Sequence, residues 1–445
     1  MRVPFVLFMA IAPFCLAQET RNPKVDSVLR SVDAKRIHGT VAKLVSFGTR
    51  NTLSDTVSET RGIGAARRWL GSEFGALAKA AGSRLQPFED RFKAEPNKRI
   101  PNSVEICNIG AILPGTDAAR AKEAIILTGH YDSRASGVLD AASDAPGAND
   151  DGSGTSMTLE LARVMAAEKP AVSIYFVAVA GEEQGLVGST HLAKRLKAEG
   201  IRVLAMVSVD IAGNTEGQDG VKDNVRGRLW SEGVAASESP EQRKLRLALG
   251  TENDGAAREW ARYVKRVAER YVENLDLLVM LRRDRIARGS DHMSFASEGF
   301  PAICLREMHE HYDRQHQDVR TVDGRSYGDD LAHFDATYAA KLARGLGAAF
   351  WELSHAPAPP TDVTLGGAVS PDTRLRWTLP EDARITGIHL YRRRADSVVW
   401  QRVQAFPKTD LWILKDVPPD NEVFAVSTVD ADGNESLPIY PSKLE

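Results

Sequence analysis

The sequence predicts an α/β protein with a mostly parallel mixed sheet and helices on both faces, followed by a C-terminal all-β sandwich. Three observations carry this. Short apolar or β-branched runs at 124–128, 172–180 and 203–209 alternate with helical patterns beginning at 152 and 187, and a strand–helix–strand rhythm calls for parallel crossovers. Each run releases acidic or imidazole residues at its carboxyl end, where open parallel sheets bind ligands: His130, then Glu182 and Glu183, then Asp210. Finally, Ala356-Pro357-Ala358-Pro359-Pro360 is a stiff proline-rich linker after which the composition shifts to short strand-like segments.

The chain opens with Met1-Arg2, an apolar stretch and the exit Phe14-Cys15-Leu16-Ala17, the layout of a secretory signal cleaved after Ala17. Its apolar stretch is too short to span a bilayer, and no later segment offers roughly 20 apolar residues in a row. The expected location is periplasmic or secreted, without an integral membrane span. Bulky Phe14 disfavours Cys15 as a lipidated cysteine. Beyond the signal, Cys107 and Cys304 lie in strand-like runs and read as buried thiols rather than a disulfide. A net charge of −3 at pH 7 carries no concentrated basic footprint, which sets nucleic acid aside as a partner.

In order, 25–81 reads as two helices around the loop 47–52, in which Arg50 is expected to be a solvated or capping arginine. A weakly alternating strand at 102–113 ends at Pro114-Gly115. After the three central strands, 214–288 is polar and charged, turn-rich to about 255 and helical from 256 to 270, and reads as an insertion over the site. The sheet pattern resumes at 300–305, and a last helix covers 334–353. The tail shows strand-like runs at 373–378, 387–392 and 422–429, with Trp377, Tyr391 and Phe424 as core aromatics and a turn at Asp432-Gly433-Asn434. It resembles a fibronectin type III module.

The clusters define a chemistry. Asp150-Asp151 precedes a helix start, so Asp151 suits the N-cap or an outer supporting role and Asp150 a metal. Adjacent Glu182 and Glu183 repel each other unless cations or protons hold them. Imidazole with carboxylate suits zinc. No HExxH is present, the spacing of His309-Glu310-His311 is wrong for it, and no GxSxG elbow supplies a serine nucleophile.

The segments GHYDS, ANDDGSG, AGEEQGLVGS, VSVDIAG and RGSDHMSF, within 22–353, resemble the secreted co-catalytic dizinc aminopeptidases, metallopeptidase family twenty-eight. That resemblance implies two Zn2+ per chain: His130 and Asp210 on one, Glu183 and a later histidine on the other, Asp150 bridging. It implies Glu182 as general base and Asp132 as the carboxylate that orients His130. The family often shows Tyr-His-Thr at the last ligand; here the chain reads Glu310-His311-Tyr312-Asp313-Arg314-Gln315-His316. His316 is chosen ahead of His311 and His309, and Tyr312 and Gln315 are candidates for the oxyanion or a substrate contact. The motif Asp291-His292 receives no ligand role. The implied organisation is a signal at 1–17, a peptidase domain at 18–355, a linker at 356–362 and the sandwich at 363–445, which by analogy attaches to surfaces or polymers. The expected activity is removal of N-terminal residues from peptide substrates; the alternatives are a glutaminyl cyclase or carboxypeptidase on the same fold, or a non-catalytic binding relative.

Overall fold

The computed structural model describes residues 21–445, so the expected signal at 1–17 lies outside the described residues. These residues form two units: Arg21–Ala358 with Asn434–Leu437, and Pro359–Gly433 with Pro438–Glu445.

The larger unit begins with three helices, not two: α1 (Pro23–Arg30), α2 (Ala34–Val45) and α3 (Gly62–Lys79). The extra break comes from Asp33, whose side chain accepts from the Lys35 amide and starts α2 afresh. Next come β1 (Gln86–Ala94), β2 (Val104–Leu113), β3 (Glu123–His130), α4 (Gly152–Met165), β4 (Ser173–Val179), α5 (Val187–Ala198) and β5 (Arg202–Val209). The region read as an insertion is instead part of the sheet. It holds β6 (Arg226–Ser231), α6 (Pro240–Leu249), α7 (Ala256–Tyr271) and β7 (Asp276–Met280). After α8 (His292–Ser297) follow β8 (Ala302–Glu307), the hairpin β9 (Arg320–Val322) and β10 (Arg325–Tyr327), and α9 (Ala336–His355).

The eight-stranded sheet runs β1-β2-β4-β3-β5-β8-β6-β7. Its centre is parallel, β4 to β3, β3 to β5 and β5 to β8, while β1–β2, β2–β4 and β6–β8 are antiparallel. β3 at 124–127 and β5 at 203–207 are apolar because both faces are covered. On one face α2, α4, α7 and α9 supply Val41, Leu161, Trp260 and Phe350, each with no exposure. On the other, α5 and α8 supply Leu192, Leu196 and Phe295. The sequence hid β1 because much of it is exposed and charged (Glu89, Arg91, Lys93). β6 was hidden by Arg226 and Arg228 and by its shortness.

The smaller unit holds β11 (Thr361–Gly366), β12 (Thr373–Thr378), β13 (Gly387–Arg394), β14 (Arg402–Pro407), β15 (Leu411–Leu414), β16 (Glu422–Val429) and β17 (Lys443–Leu444). They form a four-stranded sheet, β15-β12-β11-β17, and a three-stranded one, β14-β13-β16. Trp377, Leu375, Ile388, Leu390, Phe424 and Val426 make one core between them. Tyr391 is fully buried, as expected of a core aromatic, but stands outside that cluster: strand alternation turns it away from Leu390, and its ring lies 5.3 Å from that of Trp400. Among the described residues no helix is long and apolar enough to cross a membrane.

Candidate metal centre

The site is assembled by close backbone packing at the carboxyl ends of β3, β4 and β5. A Cβ at Gly129 would lie 2.2 Å from the Gly154 carbonyl carbon, and one at Gly154 would lie 2.1 Å from the Val209 carbonyl oxygen. Only glycine lets the start of α4 sit against both strand ends, which delivers Asp150 and Asp151 beside His130 and Asp210.

His130 is the last residue of β3 and is 1% exposed. Its Nδ1 lies 3.1 Å from the Asp132 carbonyl. A carbonyl only accepts, so Nδ1 carries the hydrogen and Nε2 turns a lone pair toward Asp150 Oδ1, 3.1 Å away, and Asp210 Oδ1, 4.0 Å away. A lone pair facing carboxylate oxygens is repulsive unless a proton or cation lies between them. His316 Nε2 repeats the pattern at 2.9 Å from Asp150 Oδ2 and 2.9 Å from Glu183 Oε1. Asp150 thus turns one oxygen to each imidazole. Ligand atoms of His130, Glu182 and Asp210 all lie within 4.8 Å of one another, and so do those of Asp150, Glu183 and His316. Glu183 Oε1 is buried with no hydrogen-bond donor. These are imidazole and carboxylate donors of the type zinc takes, and they fit it.

The electrostatics agree. Burial works against the charged form of His316, but Glu183 and Asp150 override it and push the imidazole up to about 10. Burial would raise Asp150, yet His316 and His130 hold it well below its ordinary value. Glu182 goes the other way: burial, with repulsion from Glu183 and Asp210 outweighing the pull of His130, lifts its carboxyl well above the usual range. It is the partly exposed member of its group.

Several supports come from far along the chain. The Asp132 carboxylate stands 3.6 Å from His130 Nδ1; it accepts from the Glu182 and Glu183 amides at 3.3 and 3.1 Å, so it ties the imidazole's loop to the glutamate pair as well as orienting the ring through its carbonyl. Asp151 fills both expected roles, capping α4 through the Gly154 amide at 2.8 Å and accepting from the His130 amide at 2.9 Å. Three further supports escaped sequence reading. Arg306 Nη2 donates to Asp210 Oδ2 at 2.6 Å. Asp329 accepts from the Asp150 amide at 2.7 Å. Arg50 is not solvated but does cap: it has no exposure, donates to the Leu44 carbonyl in the last turn of α2 and to the carbonyls of Tyr131 and Gly147, and is pulled down to about 10 by its burial.

The remaining candidates separate. Gln315 is 9% exposed and donates to Asp150 Oδ2 at 3.1 Å. Tyr312 is 58% exposed and stands outside the lining of the cavity over the centre; its backbone amide donates to Gln218 at 2.8 Å. Neither His309 nor His311 joins a ligand group. His292 Nε2 donates to the Arg283 carbonyl at 3.0 Å; with Asp284 and Cys304 it forms a third cluster, but Arg306 Nη2 lies 3.7 Å from Asp284 and supplies the positive charge there. Cys107 and Cys304 are free and buried. Ile211, Leu186 and His316, flanking or within the centre, hold left-handed backbone at φ 60°, 61° and 54°, strain of the kind found at functional sites.

A cluster of this make-up at the carboxyl ends of an open α/β sheet defines a metal-dependent hydrolase. The profile of Peptidase family M28 matches residues 108–340. A probable zinc metalloprotease of Leptosphaeria maculans is 37% identical over 427 residues, 96% of this chain and 98% of the relative. One from Pyricularia oryzae is 37% identical over 438 residues, covering 96% and 86%. The chain belongs to Peptidase family M28 and is a zinc metallopeptidase acting on peptide substrates. The fold is shared with two solved structures from Legionella pneumophila: the LapA aminopeptidase (TM-score 0.50, 21% identity, covering 79% of this chain and 80% of that one) and LapB (TM-score 0.51, 20% identity, covering 76% and 75%).

Proposed function

We propose that this metallopeptidase is a secreted aminopeptidase working with two zinc ions. The observation that carries the reading is Asp150, one oxygen toward His130 and the other toward His316, the position of a bridging ligand. His130 and Asp210 hold one ion, Glu183 and His316 the other. Ions held by these residues would supply an activated water and polarise the scissile carbonyl. Glu182, partly open to the cavity and with its proton affinity raised, takes the proton of the attacking water and passes it to the leaving amine. Gln315, fixed on Asp150, is the nearer candidate for a substrate contact; the exposure of Tyr312 argues against it.

Export rests on the 1–17 signal pattern. The smaller unit, with two sheets around one core, is read as a fibronectin type III-like module serving attachment. The test is p-nitroaniline release from aminoacyl substrates with and without chelator, alongside metal analysis. Two zinc ions per chain and chelator-sensitive release are expected. One zinc per chain with cyclisation of N-terminal glutamine would replace the reading by a glutaminyl cyclase.

A further inference from the structure

The cavity over the centre, about 720 Å³, is acidic at its floor and basic on its walls: Arg99, Arg134, Arg285 and Arg288 line it together with Asp150, Glu182, Glu183 and Asp210. If the two-zinc reading above holds, on which this inference rests, two divalent cations balance the four carboxylates. The four guanidiniums are then left over.

Their partners neutralise them only in part. Arg99 donates to the Glu183 carbonyl at 2.9 Å, and Arg134 to the carbonyls of Ala135 and Ser136, all uncharged acceptors. Arg134 Nη1 also reaches to 3.8 Å from Glu183 Oε2, a carboxylate already assigned to metal. On the other side, Arg285, Arg288 and Arg228 all bind the single carboxylate of Glu310, at 2.9, 2.8 and 3.0 Å. Arg285 also pairs with Asp284 Oδ1 at 3.0 Å, so two negative charges face three positive ones. Arg288 is the most open of the three, its side chain 28% exposed. It stands on the segment Leu281-Arg282-Arg283-Asp284-Arg285-Ile286-Ala287-Arg288-Gly289, which carries four arginines against one aspartate. A concave, partly enclosed surface with uncompensated guanidiniums recognises carboxylates through charge-assisted, often paired hydrogen bonds.

We infer that the enzyme selects substrates bearing a carboxylate within one residue of the scissile bond, received by Arg288 and Arg134. Two sources present that group: the side chain of an N-terminal glutamate or aspartate, or the α-carboxylate of a dipeptide. The experiment compares kcat/KM of the zinc-loaded full chain on glutamyl and aspartyl against leucyl and lysyl p-nitroanilide, and on Leu-Gly against Leu-Gly amide. The same ratios are measured for Arg288→Gln and Arg134→Gln; taking ratios on each protein cancels partial loss of folding or metal. The expected result is a preference of at least about 10-fold for the carboxylate-bearing member of one series, reduced at least about 10-fold in Arg288→Gln, the scale of one hydrogen bond between charged groups. The first series responding identifies the side chain, the second the α-carboxylate. No preference, or a preference untouched by both substitutions, overturns the inference while leaving the aminopeptidase reading standing. Absence of turnover on every substrate by a chain holding two zinc ions sinks that reading, and this one with it.

Discussion

The two imidazoles of the centre stand on opposite kinds of scaffold. His130 ends a central strand, is 1% exposed, and is held at both its amide and its ring nitrogen. His316 sits in the connection between β8 and β9, its side chain 32% exposed and its backbone left-handed at φ 54°. The strand-borne half is fixed by the sheet before any metal arrives. The loop-borne half depends on contacts made after the chain has travelled far, chiefly Gln315 and His316 with Asp150. One half is architecture and the other is completed by the ligand set itself, so damage to the two should read out differently.

The sharpest test falls between the halves, on Glu182. Glu182→Gln is expected to lower turnover by about 10²–10⁴-fold, the usual contribution of a general acid–base group, with bound metal unchanged. Near-normal turnover with both sites filled would remove Glu182 from the chemistry. Loss of metal would instead assign it as a ligand, a role its place beside His130 and Asp210 makes a real alternative.

Next come the imidazoles themselves. His316→Ala should cost one metal per chain and leave the apo chain folded, since a half-exposed loop residue carries little packing. His130→Ala should cost metal and stability together, because it takes a buried positive or metal-bearing partner away from Asp150 and Asp210. His311→Ala should do neither. Metal analysis with thermal melts on the three proteins decides, and metal loss in His311→Ala alone would show that the loop half has been misassigned.

A smaller effect is expected behind the strand half. Arg306 fixes Asp210 from the β8 side, and removing such an outer partner typically weakens metal affinity by about 10–100-fold. Arg306→Met should show that loss in a competition titration, with partial recovery in Arg306→Lys. An unchanged affinity would mean that Asp210 is placed by β5 alone.

The same division explains what the sequence made legible. Apolar runs with a reactive residue at the end identified β3, β4 and β5, and with them His130, Glu182, Glu183 and Asp210, because a strand buried on both faces cannot disguise its composition. β1 and β6 were lost because edge or charged strands lack that run. Arg306 and Asp329 lie 96 and 179 residues from the groups they hold, and local pattern is blind to such separations. His316 stood among three histidines within eight residues; the backbone at 316 is left-handed where the imidazole meets Asp150, and no residue type there announces that conformation. Arg50 misled because an arginine in a polar loop usually faces water, whereas here the segments around Leu44, Tyr131 and Gly147 close over it.

The least effect on turnover is expected from the tail, and here the structure changes what should be tested. A cut at the linker looks clean in sequence, but the larger unit includes Asn434–Leu437. Glu435 is 2% exposed; its carboxylate lies 2.9 Å from Arg266 Nη2 and its carbonyl accepts from Tyr263 at 2.8 Å. A chain ending at Ala358 therefore keeps every residue of the centre and loses one partner of a buried ion pair on α7, a change that usually costs about 3–5 kcal/mol. For a unit of this size that corresponds to a melting temperature lower by roughly 4–8 °C. α7 packs through Trp260 and Val264 against α9 and the sheet, not against the metal ligands. The shortened chain should accordingly bind two zinc ions and cleave small aminoacyl substrates at 20–25 °C within about twofold of the full chain, while unfolding earlier on heating. Glu435→Gln in the full chain separates the causes: it should reproduce part of the drop in melting temperature with the tail still present. If the shortened chain is inactive at low temperature but Glu435→Gln is not, the smaller unit contributes to the centre by a route other than this ion pair, and the contrast between a self-sufficient strand half and a dependent loop half would have to be redrawn to include the tail.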